Sequence, residues 1–268
     1  MNGVLKPSGD RKVRSAKTQK NCYGLLHGPT GTCPQATVGE GGCSFIKPGA
    51  KNAVCYVDGL TKVYKNINGV LKHNTDIMKS ATLRNKQTIL EAEFNRYEKA
   101  ELASAKRANR QPWLNYRLHW AGDFFDAKYV KAAVRAMNNT PNLKFWTYTR
   151  SMFAVIPLSE VEHLSLYISL DIVNIGRGLD TYYKWKSEHN KHNNVQICYL
   201  SPSKKNDFAS RWQSAYEAMG KPKYWDKEPP RLSTCPADVN KIPLEGACAT
   251  CQKCLGTRQK LLPIWFCP

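Results

Sequence analysis

The stretch that decides the fold runs from Leu164 to Leu200. It reads LSLYISL at 164–170, then GLDTYYKWKSEHN at 178–190, then VQICYL at 195–200. The first segment alternates apolar residues with Ser and Tyr, the pattern of a strand with two distinct faces. The second reads as a helix and the third as another strand. Strand, helix, strand at this spacing is a βαβ unit, whose two strands lie parallel.

Working outward, the same alternation continues. LKFWTYT, Leu143 to Thr149, is strand-like by its aromatic and β-branched content. Val130, Val134 and Met137 keep helical spacing, and Tyr116, Leu118 and Trp120 alternate in YRLHW. Ser159 with Glu162 forms a capping box on a short helix. Residues 74–110 are the strongest helical run, with Leu90, Phe94 and Tyr97 on one face and Pro112 ending it. Downstream, Phe208, Trp212, Ala215 and Met219 mark a helix closed by Gly220.

The chain is therefore predicted to be α/β with a parallel sheet, either doubly wound or closed into a partial or full barrel. In both, the active site lies at the C-terminal strand ends. The decisive loops are then AGDFF at 121–125, Arg150-Ser151, Asp171 and SPS at 201–203. Three regions are expected: an N-terminal segment 1–20, a core 21–220, and a Cys-rich segment 221–268 read as a small appendage. Residues 1–20 carry Lys6, Arg11, Lys12, Arg14, Lys17 and Lys20 against Asp10. That composition reads either as a basic arm or as a partly ordered N-terminal strand.

Composition narrows the function classes. With 268 residues, 42% hydrophobic and 23% charged, wholesale disorder and fibrous repeats are excluded. Net charge is +19, which attracts polyanions such as nucleic acid and makes such binding salt-sensitive. No apolar run reaches the roughly 18–20 residues of a membrane span. Met1 to Lys20 lack the apolar centre of a secretory signal. A cytoplasmic protein without a membrane partner is the expectation, and ten cysteines in a reducing compartment read first as metal ligands or redox groups.

The cysteines form two groups. Cys235, Cys248, Cys251 and Cys254 are spaced C-x12-C-x2-C-x2-C, which lets successive thiolates turn toward one centre. Four thiolates satisfy a zinc ion or a [4Fe–4S] cluster, and a compact CxxCxxC with one distant partner favours the cluster. Cys267 reads either as a substitute ligand or, the preferred reading, as a packed small hydrophobe. Cys33, Cys43 and Cys55 lie in a Gly- and Pro-rich loop. Three thiolates leave one iron of a cubane open to a ligand; zinc or a purely structural role fits the same spacing, and Cys22 is a candidate fourth ligand. Cys198, inside a strand pattern, reads as core.

TCPQAT at 32–37, Cys55-Tyr56, RLHWAGDFF at 117–125, FWTYTRS at 145–151 and the CP…C-x2-C-x2-C tail together resemble a bacteriophage family, the gene product eighty-eight family. The resemblance runs from about residue 21 to the end. Members of that family look like divergent radical-SAM proteins. The resemblance implies a radical-SAM-type parallel barrel, complete or partial, with two [4Fe–4S] clusters and S-adenosylmethionine (SAM) as cofactors. It also implies an electron donor supplied by the bacterial host, in whose cytoplasm the protein would act. It assigns Cys33, Cys43 and Cys55 to the first cluster and Cys235, Cys248, Cys251 and Cys254 to the auxiliary one. Gly122 and Asp123 resemble the glycine–acid stretch that holds the SAM amino group. Ordinary radical-SAM proteins space their three cysteines much more tightly than this chain does.

Charge complementarity extends the assignment. SAM carries an ammonium and a carboxylate, so Asp123 after one strand and Arg150 after the next are candidate contacts. Ser169 and Asp171 are candidates for the ribose hydroxyls. The structural alternatives are a helix cap for Asp123, shared with Asp126, an ion pair for Arg150, and a satisfied core histidine for His119. The expected function is an iron–sulfur enzyme that cleaves SAM reductively to act on an unknown substrate, with nucleic acid a candidate. The alternatives are a nucleic-acid-binding or structural protein whose clusters, or zinc, only stabilise the fold.

Overall fold

The computed structural model describes residues 4–8, 10, 12–13, 19–28, 31–36, 55–64, 66–201, 206–238, 240–255 and 261–266. Cys43, Cys267, Arg11, Arg14, Lys17, Pro202 and Ser203 lie outside the described residues. Six strands are present among the described residues: β1 (Asn115–Arg117), β2 (Lys144–Thr149), β3 (Leu164–Leu170), β4 (Val195–Leu200), β5 (Ser233–Thr234) and β6 (Ile264–Phe266). They form one sheet in the order β1-β2-β3-β4-β6-β5, with every pair parallel, curled into a half-barrel. The α/β parallel-sheet expectation is met at that level.

The helices are α1 (Tyr56–Val63), α2 (Ile67–Ser80), α3 (Leu83–Arg107), α4 (Ala127–Asn138), α5 (Val155–Ser159), α6 (Ile175–Glu188), α7 (Phe208–Ala218) and α8 (Ala247–Cys251). Leu164, Leu166, Ile168 and Leu170 of β3, with Val195, Ile197 and Tyr199 of β4, join one core with α3, α4, α6 and α7. Each such buried side chain contributes roughly 1.5–3 kcal/mol through apolar burial. The alternate residues, Trp146, Tyr167 and Cys198, fall into two other clusters on the concave face. Thus the alternation in LSLYISL separates a helix-covered face from an interior face, and both are buried.

Some local expectations change. The run 74–110 is two helices, because Thr82 is extended and its hydroxyl accepts Asn85 N–H at 3.3 Å, starting α3 afresh. Ser159 does not open a helix. It ends α5, and its hydroxyl donates to Ile156 O at 2.8 Å, while Leu164 already begins β3. The C-terminal segment does not stand apart as an appendage: β5 and β6 extend the main sheet beside β4, with Cys198 opposite Ile264. Strands of two and three residues are too short to leave a period in sequence.

The described N-terminal residues also lie on the body. Leu5 and Val13 are buried, Ser8 N–H donates to Cys22 O at 2.7 Å, and Lys6 and Asn74 exchange two hydrogen bonds. Asn21 to Leu25 run alongside β1: Arg117 N–H donates to Asn21 O at 2.9 Å and Leu25 N–H to Ala121 O at 2.8 Å. This segment covers the edge that β1 would otherwise expose. No helix among the described residues is long and apolar enough to cross a membrane.

Candidate functional site

A cavity opens where the C-terminal strand ends meet Cys33 and Cys55. Cys33 and Cys55 line it from the loop, Gly122 and Asp123 from the turn after β1, Arg150 from the end of β2, and Ser169 from β3. These residues were singled out separately in sequence, and the fold gathers them at one place. Cys43 lies outside the described residues. Asp171 is not in the cavity wall; it sits fully buried behind Arg150.

The backbone of this site is tightly specified. Gly122 has φ of 81°, and a Cβ there would meet Thr32 Oγ1 at 2.5 Å, so only glycine fits. Thr32 donates to Leu26 O at 2.9 Å and accepts Asp123 N–H at 3.3 Å. Gln35 Oε1 accepts Met152 N–H at 2.9 Å. The TCPQ stretch is thereby pinned across two strand-end loops, with Cys33 between its anchors.

Asp123 is held by its own neighbours. Its carboxylate accepts from Thr149 Oγ1 at 2.6 Å, Phe124 N–H at 2.7 Å and Arg150 N–H at 2.8 Å. Burial raises its pKa, and those hydrogen bonds oppose the rise. The helix cap belongs to Asp126, which accepts Tyr129 N–H at 2.6 Å. Arg150 Nη1 pairs with Asp171, whose other oxygen accepts Val173 and Asn174 N–H, each at 2.9 Å. Asp171 therefore positions Arg150 and starts the turn into α6.

Cys22 is fully buried, donates to Ser8 O at 3.8 Å, and has its thiol pushed up to about 12 by burial. It is not part of the cavity wall.

The second site lies on the concave face. Cys235, Cys248, Cys251 and Cys254 all line one cavity, together with Trp146, Tyr148 and Phe266. Burial pushes the Cys248 thiol up to about 12 and raises Cys235 and Cys254 as well. Protein alone thus disfavours these thiolates, and a multivalent cationic centre is what would favour them; this donor set fits zinc or a cluster. The thiols lie around the wall: among the described residues, no three His, Cys, Asp or Glu side chains converge on a single-ion site, and no disulfide forms.

Lys12 closes one side of this cavity. Burial works against its ammonium, yet Cys235 and Asp238 hold its pKa above the ordinary lysine value. Its Nζ lies 2.7 Å from Asp238 Oδ1 and 5.3 Å from the Phe266 ring centroid. Lys12 O accepts Cys248 N–H at 3.0 Å.

Sequence reasoning missed Thr32, Gln35, Arg117 and Tyr148. Tyr148 lines both cavities, and Arg117 lies 5.1 Å over its ring. Thr32 and Gln35 sit in the quoted TCPQAT motif, and Tyr148 shares the interior parity of Trp146; both signals were present without a partner to give them meaning.

A parallel half-barrel with a polar, cysteine-edged cavity at its strand ends and an apolar four-cysteine cavity inside its curve defines the class of protein. The chain belongs to the Gene product 88 family, whose model matches residues 5–257. It is 29% identical over 274 residues to the Gene 88 protein of Mycobacterium phage L5, covering 96% of each chain. It is 32% identical over 198 residues to the Gene 88 protein of Mycobacterium phage D29, covering 67% of this chain and 75% of that one. No solved structure matches it.

Proposed function

We propose that this is an iron–sulfur protein that binds SAM in the strand-end cavity and cleaves it reductively to act on another molecule, nucleic acid being the class its charge favours. The observation that supports the reading is the gathering of Cys33, Cys55, Gly122, Asp123, Arg150 and Ser169 around one cavity at the C-terminal strand ends. Parallel α/β folds place their ligands there. A reduced [4Fe–4S] cluster with one open iron supplies the electron for breaking a sulfonium carbon–sulfur bond.

The chain's residues have distinct tasks in this reading. Cys33, Cys43 and Cys55 hold the cluster, and Cys22, buried and bonded to Ser8, stays a thiol. Asp123 fixes the turn that brings the Gly122 backbone to the ligand. Asp171 holds Arg150 for the ligand carboxylate. Cys235, Cys248, Cys251 and Cys254 hold the auxiliary cluster, and Trp146 and Phe266 keep water from it.

The test is anaerobic purification with iron and sulfide analysis, followed by SAM cleavage under a strong reductant. Two clusters and cleavage lost in Cys55→Ser are expected. Zinc in place of iron, or clusters without cleavage, would replace this reading with its alternative. That alternative, a nucleic-acid-binding protein with structural metal centres, draws on the +19 charge alone and requires binding that falls steeply with salt.

A further inference from the structure

His119 lines the strand-end cavity and is 3% exposed. It stands just beyond β1 with φ of 55°, a left-handed conformation rare for a residue with a side chain. Its Nε2 lies 2.5 Å from Tyr129 Oη and 3.3 Å from Tyr23 Oη, and the two phenols lie 2.5 Å apart. Its Nδ1 is buried and has no hydrogen-bond partner among the described residues. Phe124 meets the ring edge-on at 4.7 Å between centroids, which fixes its plane.

The tautomer follows from counting protons. Tyr23 and Tyr129 each have one hydroxyl proton to donate. If Nε2 accepts, Tyr23 donates to Tyr129 and Tyr129 donates to Nε2, so every proton is placed. If Nε2 instead carries a proton, three donors face two phenolic oxygens, and one hydroxyl proton is left without an acceptor. Burial makes that arrangement costly. The ring proton therefore resides on Nδ1. In this tautomer Nδ1 has no lone pair, so it cannot close the coordination of the Cys33–Cys55 centre. It is a neutral donor in need of an acceptor.

We propose that His119 is a further ligand-recognising residue, whose Nδ1–H donates to a carboxylate oxygen of the molecule that fills the strand-end cavity. Arg117 and Arg150 line the same wall as candidate partners for such a ligand, with Arg150 held by Asp171 and Asp123 the acid in that wall. Burial and the nearby Arg117 lower the pKa of His119 to about 3, so the ring stays neutral at ordinary pH. The inference rests on the cavity being a ligand site, and the experiment separates it from the identity of the ligand.

The first measurement is nitrogen-15 histidine NMR on the full chain as purified. A neutral ring protonated on Nδ1, absent in His119→Phe, is expected; an Nε2-protonated or charged His119 overturns the proposal. If His119→Phe fails to fold, loss of the signal in His119→Asn assigns it instead. The second adds SAM or decarboxylated SAM as probes. SAM is expected to shift the Nδ1–H signal and decarboxylated SAM to leave it in place. His119→Asn, which tolerates the left-handed backbone, and His119→Phe should each weaken SAM binding about tenfold while leaving decarboxylated SAM unchanged. SAM binding with an unmoved His119 signal overturns the proposal while leaving the proposed function standing. If SAM does not bind, methionine and methioninol take its place. A shift with methionine alone supports the proposal and sinks the SAM reading. No shift with either compound overturns the proposal and leaves His119 facing water only.

Discussion

The two cysteine-lined cavities share Tyr148 as a wall but are built from opposite chemistry. The interior cavity surrounds four thiols with Trp146, Phe266 and Lys12, and its parts come from residues near the N-terminus, β2, α8 and β6. The strand-end cavity offers Arg117, His119, Arg150 and Ser169 beside Cys33 and Cys55. The first ties distant segments together, and the second presents donors and charge to an open cavity. A centre in the first is expected to act as a staple, and one in the second as a reaction site.

The sharpest way to break this contrast is to remove one thiol from each. Cys251→Ser should cost about one cluster's iron and destabilise the protein by on the order of 3 kcal/mol, because metal-binding energy there is folding energy. Cys33→Ser should cost as much iron but less than about 1 kcal/mol. Iron analysis with urea unfolding decides it, and equal losses of stability would erase the distinction.

The polar frame of the strand-end cavity comes next. Asp171→Asn keeps the acceptor for Val173 and Asn174 N–H but removes the charge facing Arg150, itself only 8% exposed. Breaking this buried pair should cost about 3 kcal/mol. A variant as stable as the parent in thermal unfolding would mean that Arg150 reaches water and that Asp171 does not position it.

Much of this contrast was legible in sequence, and its failures have physical causes. The strands at 143–149, 164–170 and 195–200 were readable because each is long enough to show composition or alternation, and C-x2-C-x2-C declares itself by spacing. The cavity residues were readable because parallel folds open their clefts at strand C-termini, so Asp123, Arg150 and Ser169 could be named by that position together with the family resemblance and the chemistry of SAM. What could not be read was partnership. Asp123 and Asp171 looked alike as candidate ligand contacts, yet one lines the cavity and the other lies behind Arg150. The docking of Leu5 and Val13, and the two short strands that join the tail to the sheet, depend on long-range contacts with no local period.

A pH titration sharpens the same contrast through His119. Its folded pKa is lowered to about 3, below the ordinary value of about 6.5 in the unfolded chain. Between those values the unfolded state holds one more proton, so stability rises with pH and is lost as pH falls below about 6.5. The slope from this one group is about 1.4 kcal/mol per pH unit. Comparing unfolding of the parent and His119→Asn from pH 7.5 to pH 5 should show the parent losing stability faster. Parallel curves would mean that His119 takes up its proton in the folded protein.

The smallest effect concerns the residue the two cavities share. Tyr148 is half-buried on the interior face of β2, with its hydroxyl within hydrogen-bonding reach of the Cys254 sulfur across the interior cavity. Hydrogen bonds to a cluster's sulfurs are among the protein's levers on its reduction potential, because they stabilise the more negative state. Tyr148→Phe leaves the ring in place under Arg117, so packing and the cation–π contact at 5.1 Å survive while one hydrogen bond is lost. The cost in stability should be about 1 kcal/mol. The reduction potential of the tail centre should fall, measured by electron paramagnetic resonance during a redox titration, while that of the strand-end centre stays where it was. The same shift at both centres would mean that Tyr148 couples them, and the two cavities would then have to be treated as one site.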